Sequence, residues 1–358
     1  MPSLKLLADD LTGALDTSAE LVGVVGPLDV VWSAAPPGRQ SFAIDSGTRE
    51  SSEQEAFAKV GEIAPLLGSA GIAYKKIDSL LRGPWVAELD ACLRTGLWDA
   101  CIVAPAFVQQ GRITRSGWQH ARAHDGSWNA VGDVVEQLCG RGLHARLASL
   151  AAPLADGISL FDAESEQDLD HITGIGRQYA GRLLWCGSGG LANALARGTD
   201  VSVPARLKTP VMGIFGSEHA ATAAQLSMCA GVVIASSSLR QDLDRIRPAL
   251  DKGIAFVKLE APGASRTEAA RHFSREIAML GESIDPPKTL IVAGGETLKA
   301  LAVAVGASAL QVLGRLEPGL PKSVIQSGRW AGVEVISKSG AFGPADLWSK
   351  LLRQNGLM

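Results

Sequence analysis

Leu4-Lys5-Leu6-Leu7-Ala8-Asp9-Asp10-Leu11-Thr12-Gly13-Ala14 decides the reading of this chain. A short apolar run ends on two adjacent carboxylates, and Thr12 or Asp10 can cap a helix that Gly13 to Val24 continues. Acids at the carboxyl end of a parallel strand stand over the crevice where open α/β sheets bind ligands. Neighbouring residues on extended chain point opposite ways, so at most one of Asp9 and Asp10 faces that crevice squarely. A capping Asp beside a solvated one is the plainer account. A second turn, Ala293-Gly294-Gly295-Glu296-Thr297, tips the balance toward a site. One end is suited to a polar substrate and the other to a phosphate.

Working outward, strand-like runs alternate with amphipathic runs, the pattern of a largely parallel α/β sheet. Strands are expected near Leu4–Leu7, Leu28–Trp32, Ser41–Ile44, Ile72–Lys75, Ala100–Val103, Gly157–Phe161 and Arg182–Trp185. Helices are expected over Ser52–Leu67, Trp85–Arg94, Glu164–Tyr179 and Gly190–Arg197. Pro105–Asn129 has no period and reads as a long functional loop or lid. Arg197–Pro210 is rich in Gly, Ser, Thr, Asp and Pro, which places a boundary between domains 1–203 and 204–358. The alternation then restarts at Val211–Phe215, continues through Val232–Ala235, Ile254–Leu259 and Thr289–Val292, and ends near Val333–Ile336 and a helix from Pro344.

The chain has 358 residues, 46% of them apolar and 20% charged, with a net charge of −3. That balance offers no basic field for nucleic acid or an anionic membrane surface. No apolar run approaches the ~18–20 residues of a membrane span, and the start of the chain carries no export signal. Cys92, Cys101, Cys139, Cys186 and Cys229 are odd in number and unpaired in spacing, so they read as reduced core thiols of a cytoplasmic protein.

Several clusters carry chemistry. Lys75-Lys76-Ile77-Asp78-Ser79-Leu80-Leu81-Arg82-Gly83 ends a strand with two cations, an acid and an Arg, whose planar fork suits a carboxylate or phosphate. A solvated strand end with an internal ion pair is the competing account. Asp45-Ser46-Gly47-Thr48-Arg49 follows another strand, with a capping turn equally expected. Gly187-Ser188-Gly189-Gly190 can form an anion nest or merely pack helix on strand. In the second half, Gly216-Ser217, Gly294-Gly295-Glu296-Thr297 and Ser339-Gly340-Ala341-Phe342-Gly343 each join a strand to the next element. Ser217 can cap a helix or bond a phosphate. Three such turns in one domain favour a shared phosphate site, although none has the spacing of a P-loop. His120 and His124 lie four apart but in a Gly- and Trp-bearing loop, and no metal site is expected.

Taken in order, these blocks resemble the four-carbon acid sugar kinase family. Ala8–Ala14 is similar to its opening signature, Lys75–Gly83 to its second block, and Ala104-Pro105-Ala106-Phe107 with Gly111-Arg112 to its third. Gly294–Thr297, Glu317-Pro318-Gly319-Leu320-Pro321 and Lys338–Gly343 complete the match. The resemblance implies a sugar-acid domain followed by an ATP domain, with the active site in the cleft between them. It implies ATP contacts at Ser217, at Gly294, Gly295, Glu296 and Thr297, and around Gly340 and Gly343. Leu80 stands where members usually carry Thr, removing a hydroxyl beside the substrate site.

The expected activity is an ATP-dependent kinase acting on a hydroxyl of a small, four-carbon sugar acid or its oxo form. Arg82, with Arg49 or Lys76, would hold the carboxylate, with Asp78 in the same cluster. Asp10 or Asp9 would orient the hydroxyl and accept its proton, and Mg²⁺ would bridge phosphate oxygens. A haloacid dehalogenase-type phosphatase needs Asp at i and i+2, and Leu11 occupies that place. A non-enzymatic sugar-acid sensor has no use for three phosphate-type turns. The partner is a small sugar acid, with a homo-oligomer left open.

Overall fold

The apolar run that opens the chain has water on neither face: Leu4, Leu6, Leu7 and Ala8 are fully buried. Strands covered on both sides read as near-continuous hydrophobic runs, and this is how parallel sheets differ from half-exposed ones. The computed structural model describes residues 1–33, 40–123, 125–199 and 201–358, which divide into two units, Met1–Val201 and Ser202–Met358.

The first unit runs β1 (Leu4–Ala8), α1 (Leu11–Val25), β2 (Leu28–Val31), β3 (Phe42–Asp45), α2 (Glu53–Ile63), β4 (Ile72–Lys76), α3 (Trp85–Leu93) and β5 (Ala100–Ala104). It continues through β6 (Arg112–Arg115), β7 (Trp118–Arg122), β8 (Trp128–Asp133), α4 (Val134–Gly140), β9 (Ala145–Ala148), β10 (Gly157–Phe161), α5 (Glu166–Gln178), β11 (Leu183–Gly187) and α6 (Gly189–Leu195). Eight strands pair in parallel in the order β2-β3-β1-β4-β11-β5-β10-β9. Because β1 lies between β3 and β4, with Ala8 opposite Asp45 and Leu7 opposite Lys75, three acid- or cation-bearing strand ends are neighbours.

The expected loop over Pro105–Asn129 instead contains strands. β6, β7 and β8 form an antiparallel three-stranded unit, with Arg112 opposite Ala121 and Trp118 opposite Asp133. Its pattern is inverted, which hides it in the sequence: Thr114 and Gln119 are buried and bonded to each other at 2.8 Å, while Trp118 and Trp128 face water. Gln119 also donates to Ser79 O at 2.8 Å, tying this small sheet to the loop after β4. His124 lies outside the described residues. Cys139 is exposed, unlike the other four cysteines, because only Val134 and Leu138 of the short α4 turn inward.

The second unit runs β12 (Val211–Phe215), α7 (Ala220–Ser227), β13 (Val233–Ser236), α8 (Leu239–Asp251), β14 (Ile254–Leu259), α9 (Arg266–Ser283), β15 (Thr289–Ala293), α10 (Gly295–Ala304), β16 (Leu310–Arg315), β17 (Pro321–Ile325), β18 (Glu334–Lys338) and α11 (Leu347–Gln354). Strands β13-β14-β12-β15-β18 are parallel in that order, and β17 and β16 follow as antiparallel neighbours. β17 has no counterpart among the expected strands, since Pro321 and Lys322 break its apolar run. Phe215, Phe256 and Trp348 interlock in the core of this unit, with Phe215 5.0 Å from Phe256 and edge-on to Trp348 at 6.2 Å.

Candidate active site

In the first unit the site begins with Asp10. Its backbone is extended while Leu11 is already helical, and its Oδ1 accepts the Gly13 N–H at 2.9 Å, so Asp10 rather than Thr12 caps α1. Asp9 is buried, and Arg49 takes both of its oxygens through Nε and Nη2. The same Nη2 reaches Asp10 Oδ1 at 3.0 Å, and Nη1 stands 3.5 Å from Asp78. The turn after β3 is pulled under Asp9 by Thr48 N and Arg49 N, which donate to Asp9 O at 3.0 and 3.2 Å. Beyond β4, Asp78 Oδ2 accepts from Leu80 N at 3.0 Å, while Arg82 forks onto both Asp78 oxygens at 2.8 and 2.7 Å. These guanidinium contacts outweigh burial and hold the Asp9 and Asp78 carboxyls below the usual range.

Lys75 and Lys76 are adjacent and do different things. Lys75 is fully buried, bridges to Glu88 at 2.7 Å and donates to Lys76 O at 2.8 Å. Glu88 in turn accepts from Thr48, whose hydroxyl meets Ser46 at 2.7 Å. An internal ion pair is therefore present at this strand end, on Lys75. Lys76 is also nearly covered, yet among the described residues its ammonium makes no hydrogen bond or ion pair. It lies against Gly13, where an added Cβ would stand 3.1 Å from Nζ.

Two further residues belong here, Asp16, which no motif marks, and Arg112 of the Gly111-Arg112 pair. Asp16 is half-buried, but its Oδ1 is enclosed with no partner; burial, with a contribution from Asp10, pushes its carboxyl up to about 8 against the pull of Lys76. An acid three residues after Gly13 lies on the same helix face, a spacing signal that the sequence does carry. Arg112, at the start of β6, lies within electrostatic reach of Asp78 and Arg82, and its Nε is buried without a partner. The Gly187–Gly190 turn is taken by packing instead: Ser188 bonds Ala106 O at 2.6 Å and Gly190 N at 3.1 Å, and a Cβ at Gly190 would strike Ala106 O at 2.4 Å.

In the second unit, Gly216, Ser217 and Glu218 join Gly294, Gly295, Glu296 and Thr297 around a cavity of about 400 Å³. Its far wall is apolar, supplied by Ala269, Phe273 and Ile277 of α9 and by Ala300. Ser217 does not cap the following helix; His219 does, and Ser217 Oγ accepts the His219 N–H at 3.3 Å. Gly294 adopts φ 109, where side chains are strained, before α10 begins at Gly295. Gly340 backs onto Ser217, since a Cβ there would lie 2.1 Å from the Ser217 hydroxyl. Gly343 lies outside the cavity lining, held with its neighbours by Gln225, whose amide donates to Phe342 O, Gly343 O and Pro344 O at 3.0–3.1 Å. The cavity thus pairs backbone amides and hydroxyls at one end with a hydrophobic slot at the other, the combination an aromatic base and its phosphates need.

Among the described residues, no three His, Cys, Asp or Glu side chains are gathered as metal ligands, and no helix is long and apolar enough to cross a membrane.

Residues 4–126 match the family of the sugar-binding N-terminal domain, and residues 212–347 that of the nucleotide-binding C-terminal domain. The chain is similar to a D-threonate kinase from Cupriavidus necator, at 30% identity over 96% of each protein. It is also similar to a 3-oxo-tetronate kinase from the same organism, at 26% identity over 99% of this chain and 98% of that protein. A D-erythronate kinase from Heliobacterium modesticaldum is 33% identical over 33% of this chain and 29% of its own length. Among solved structures, a Salmonella typhimurium LT2 protein shares the fold with a TM-score of 0.74 at 20% identity, covering 99% of both chains. A Haemophilus influenzae protein does so with a TM-score of 0.71 at 17% identity, over 99% of this chain and 100% of the other.

Proposed function

We propose a specific phosphoryl transfer from one premise: the chain belongs to the four-carbon acid sugar kinase family. It is an ATP-dependent kinase whose acceptor is a hydroxyl of a small sugar acid. The finer reading is that the acceptor is a four-carbon aldonate of the threonate type, bound in the first unit, with ATP in the cavity of the second.

The observation that carries the substrate reading is the free ammonium of Lys76. Arg49 and Arg82 have their forks committed to Asp9, Asp10 and Asp78, and Lys75 is spent on Glu88. Lys76 is the cation left to meet a carboxylate, with the open edge of Arg82 and the unpartnered Nε of Arg112 beside it. Asp10 is the more exposed of the two opening acids; one of its oxygens caps α1 and takes Arg49, and the other is available to a substrate hydroxyl. Asp9, with both oxygens engaged, organises Arg49. Phosphoryl transfer needs chiefly this kind of positioning and charge placement.

On the donor side, the apolar wall of Phe273, Ile277 and Ala300 suits the base, and Ser217 and the Gly294–Thr297 turn suit the phosphates. A bound Mg²⁺ would supply charge neutralisation at the transferring phosphates. Glu218 and Glu296 are the carboxylates that line the cavity. One or two such ligands fit an ion whose remaining ligands are phosphate and water.

A coupled ADP-release assay with Mg²⁺ across D-threonate, D-erythronate and 3-oxo-tetronate tests the reading. Turnover should require both ATP and the acid and be highest with an aldonate. Higher turnover with the oxo acid would overturn the substrate choice, and phosphate release from a phosphorylated sugar acid would overturn the reaction.

A further inference from the structure

We infer that Lys338 is the positioning cation of the nucleotide cavity: it binds the Ser339–Gly340 turn into place, and its charge is completed only by the phosphates of the bound nucleotide. The inference rests on the placement of ATP in the second unit and adds a residue and a charge role to it.

Lys338 ends β18 with its side chain almost wholly covered. Its ammonium has three acceptors, Ser339 O at 3.0 Å, Gly340 O at 3.2 Å and Thr222 Oγ1 at 3.3 Å. The Thr222 hydroxyl donates its own O–H to Gly340 O at 2.8 Å, so it can only accept from Lys338. Three acceptors around one nitrogen use all three N–H bonds of the ammonium, whereas a neutral amine would turn its lone pair toward an oxygen. The backbone of the same residue reaches the other turn, because Gly294 N donates to Lys338 O at 3.0 Å. Gly340 backs onto Ser217. Lys338 therefore holds two turns directly: the Gly294 turn that lines the cavity, and the Ser339–Gly340 turn, which is not part of the lining but backs onto Ser217, which is.

None of its partners is charged. The titratable groups on the flanking elements are Glu218 and His219 before α7, Glu296 and Lys299 in α10 and Lys322 on β17, and none perturbs it; burial alone lowers the amine to about 8. A buried cation without a counterion is costly, and the cost is recovered when an anion arrives. Binding of a polyphosphate and protonation of Lys338 are thereby linked: the anion favours the ammonium, and loss of the proton weakens the anion.

The test is titration calorimetry of ATP and adenosine at fixed free Mg²⁺, from about pH 7.5 to about pH 9.5, on the wild-type chain and on Lys338→Met. Phosphate oxygens are already ionised throughout this window. Wild-type affinity for ATP should fall as pH rises above about 8 while adenosine affinity stays level. Lys338→Met should bind ATP roughly ten- to a hundredfold more weakly with a level pH profile, and adenosine within about twofold of wild type. Equal loss of ATP and adenosine would reduce Lys338 to a fold support and overturn the charge role. Should the variant fail to fold, the wild-type profiles decide: parallel ATP and adenosine curves overturn the inference. A wild-type chain that binds neither ligand overturns the placement of ATP itself, a separate result.

Discussion

The ammonium of Lys76 rests on the backbone of Gly13, close enough that a Cβ at that position would stand 3.1 Å from Nζ and 2.6 Å from Asp10 Oδ1. Two parts of the site, the cap of α1 and the cation of β4, are thus packed through a missing side chain. Gly13→Ala should push Lys76 aside or break the cap. A lost cap costs about 1 kcal/mol, so the variant should melt only slightly below wild type. Its affinity for the sugar acid should fall roughly tenfold, because the displaced cation can no longer meet the carboxylate. Calorimetry with the acid, beside a thermal melt, checks both; unchanged acid affinity would remove Lys76 from the substrate site.

Lys75 and Lys76 should separate cleanly by mutation. Lys75→Met leaves Glu88 buried without its cation, a loss of about 3–5 kcal/mol that chemical denaturation reads directly. Lys76→Met breaks no hydrogen bond or salt bridge and removes only a through-space pull on Asp9, Asp16 and Asp78, so it should cost much less stability than Lys75→Met while sugar-acid binding is lost. A destabilised Lys76→Met that still binds the acid would reverse the two assignments.

That contrast marks what could be read from the sequence. The strand ends and their clusters are legible because buried parallel strands write themselves as apolar runs, and β10, β12 and β14 match their expected ranges residue for residue. Which of two neighbouring lysines pairs with a glutamate 13 positions along the chain depends on how α3 packs, and no local pattern carries that. The antiparallel sheet of β6, β7 and β8 is hidden because it buries Gln119 and exposes Trp118 and Trp128. Lys338 sits in plain view at the head of the Lys338–Gly343 block; only packing shows that its partners are all neutral.

Asp16 gives a pH-dependent prediction. Its folded-state carboxyl is raised from 3.8 to about 8, so the folded protein holds that proton more tightly than the unfolded chain between those values. The favourable contribution is complete below about pH 4 and is lost as pH climbs toward 8. Asp16→Asn copies the protonated form and should leave the melting temperature unchanged near pH 4. At pH 8 it should raise stability by on the order of a few kcal/mol. A variant no more stable than wild type at pH 8 would show that Asp16 is ionised at no cost.

Arg82→Ala should weaken the sugar acid far more than the nucleotide. The Arg82 fork lies on Asp78 with the side chain 64% exposed, leaving one edge of the guanidinium outward. A charge-assisted contact there is worth on the order of 1.5–3 kcal/mol, or roughly ten- to a hundredfold in affinity. Arg82→Lys should restore only part of it, since a point charge cannot hold Asp78 on two oxygens and reach outward as well. Equal weakening of both ligands would show that Arg82 supports the loop rather than the acid.

Gly295 offers the sharpest check on the nucleotide site. It is the first residue of α10, its φ lies outside the left-handed region, and an added side chain is strained by no backbone demand, unlike one at Gly294 with φ 109. It nevertheless lines the cavity beside Glu296 and Thr297. Valine there keeps the helix start and projects two methyls where phosphate must approach the amides of the first turn. Gly295→Val should therefore fold with an unchanged circular dichroism spectrum, melt within a few degrees of wild type and lose ATP binding. Sugar-acid binding should be nearly unaltered, because every residue placed at the acid lies in Met1–Val201. A folded variant with wild-type ATP affinity would mean that the phosphates do not sit on this turn.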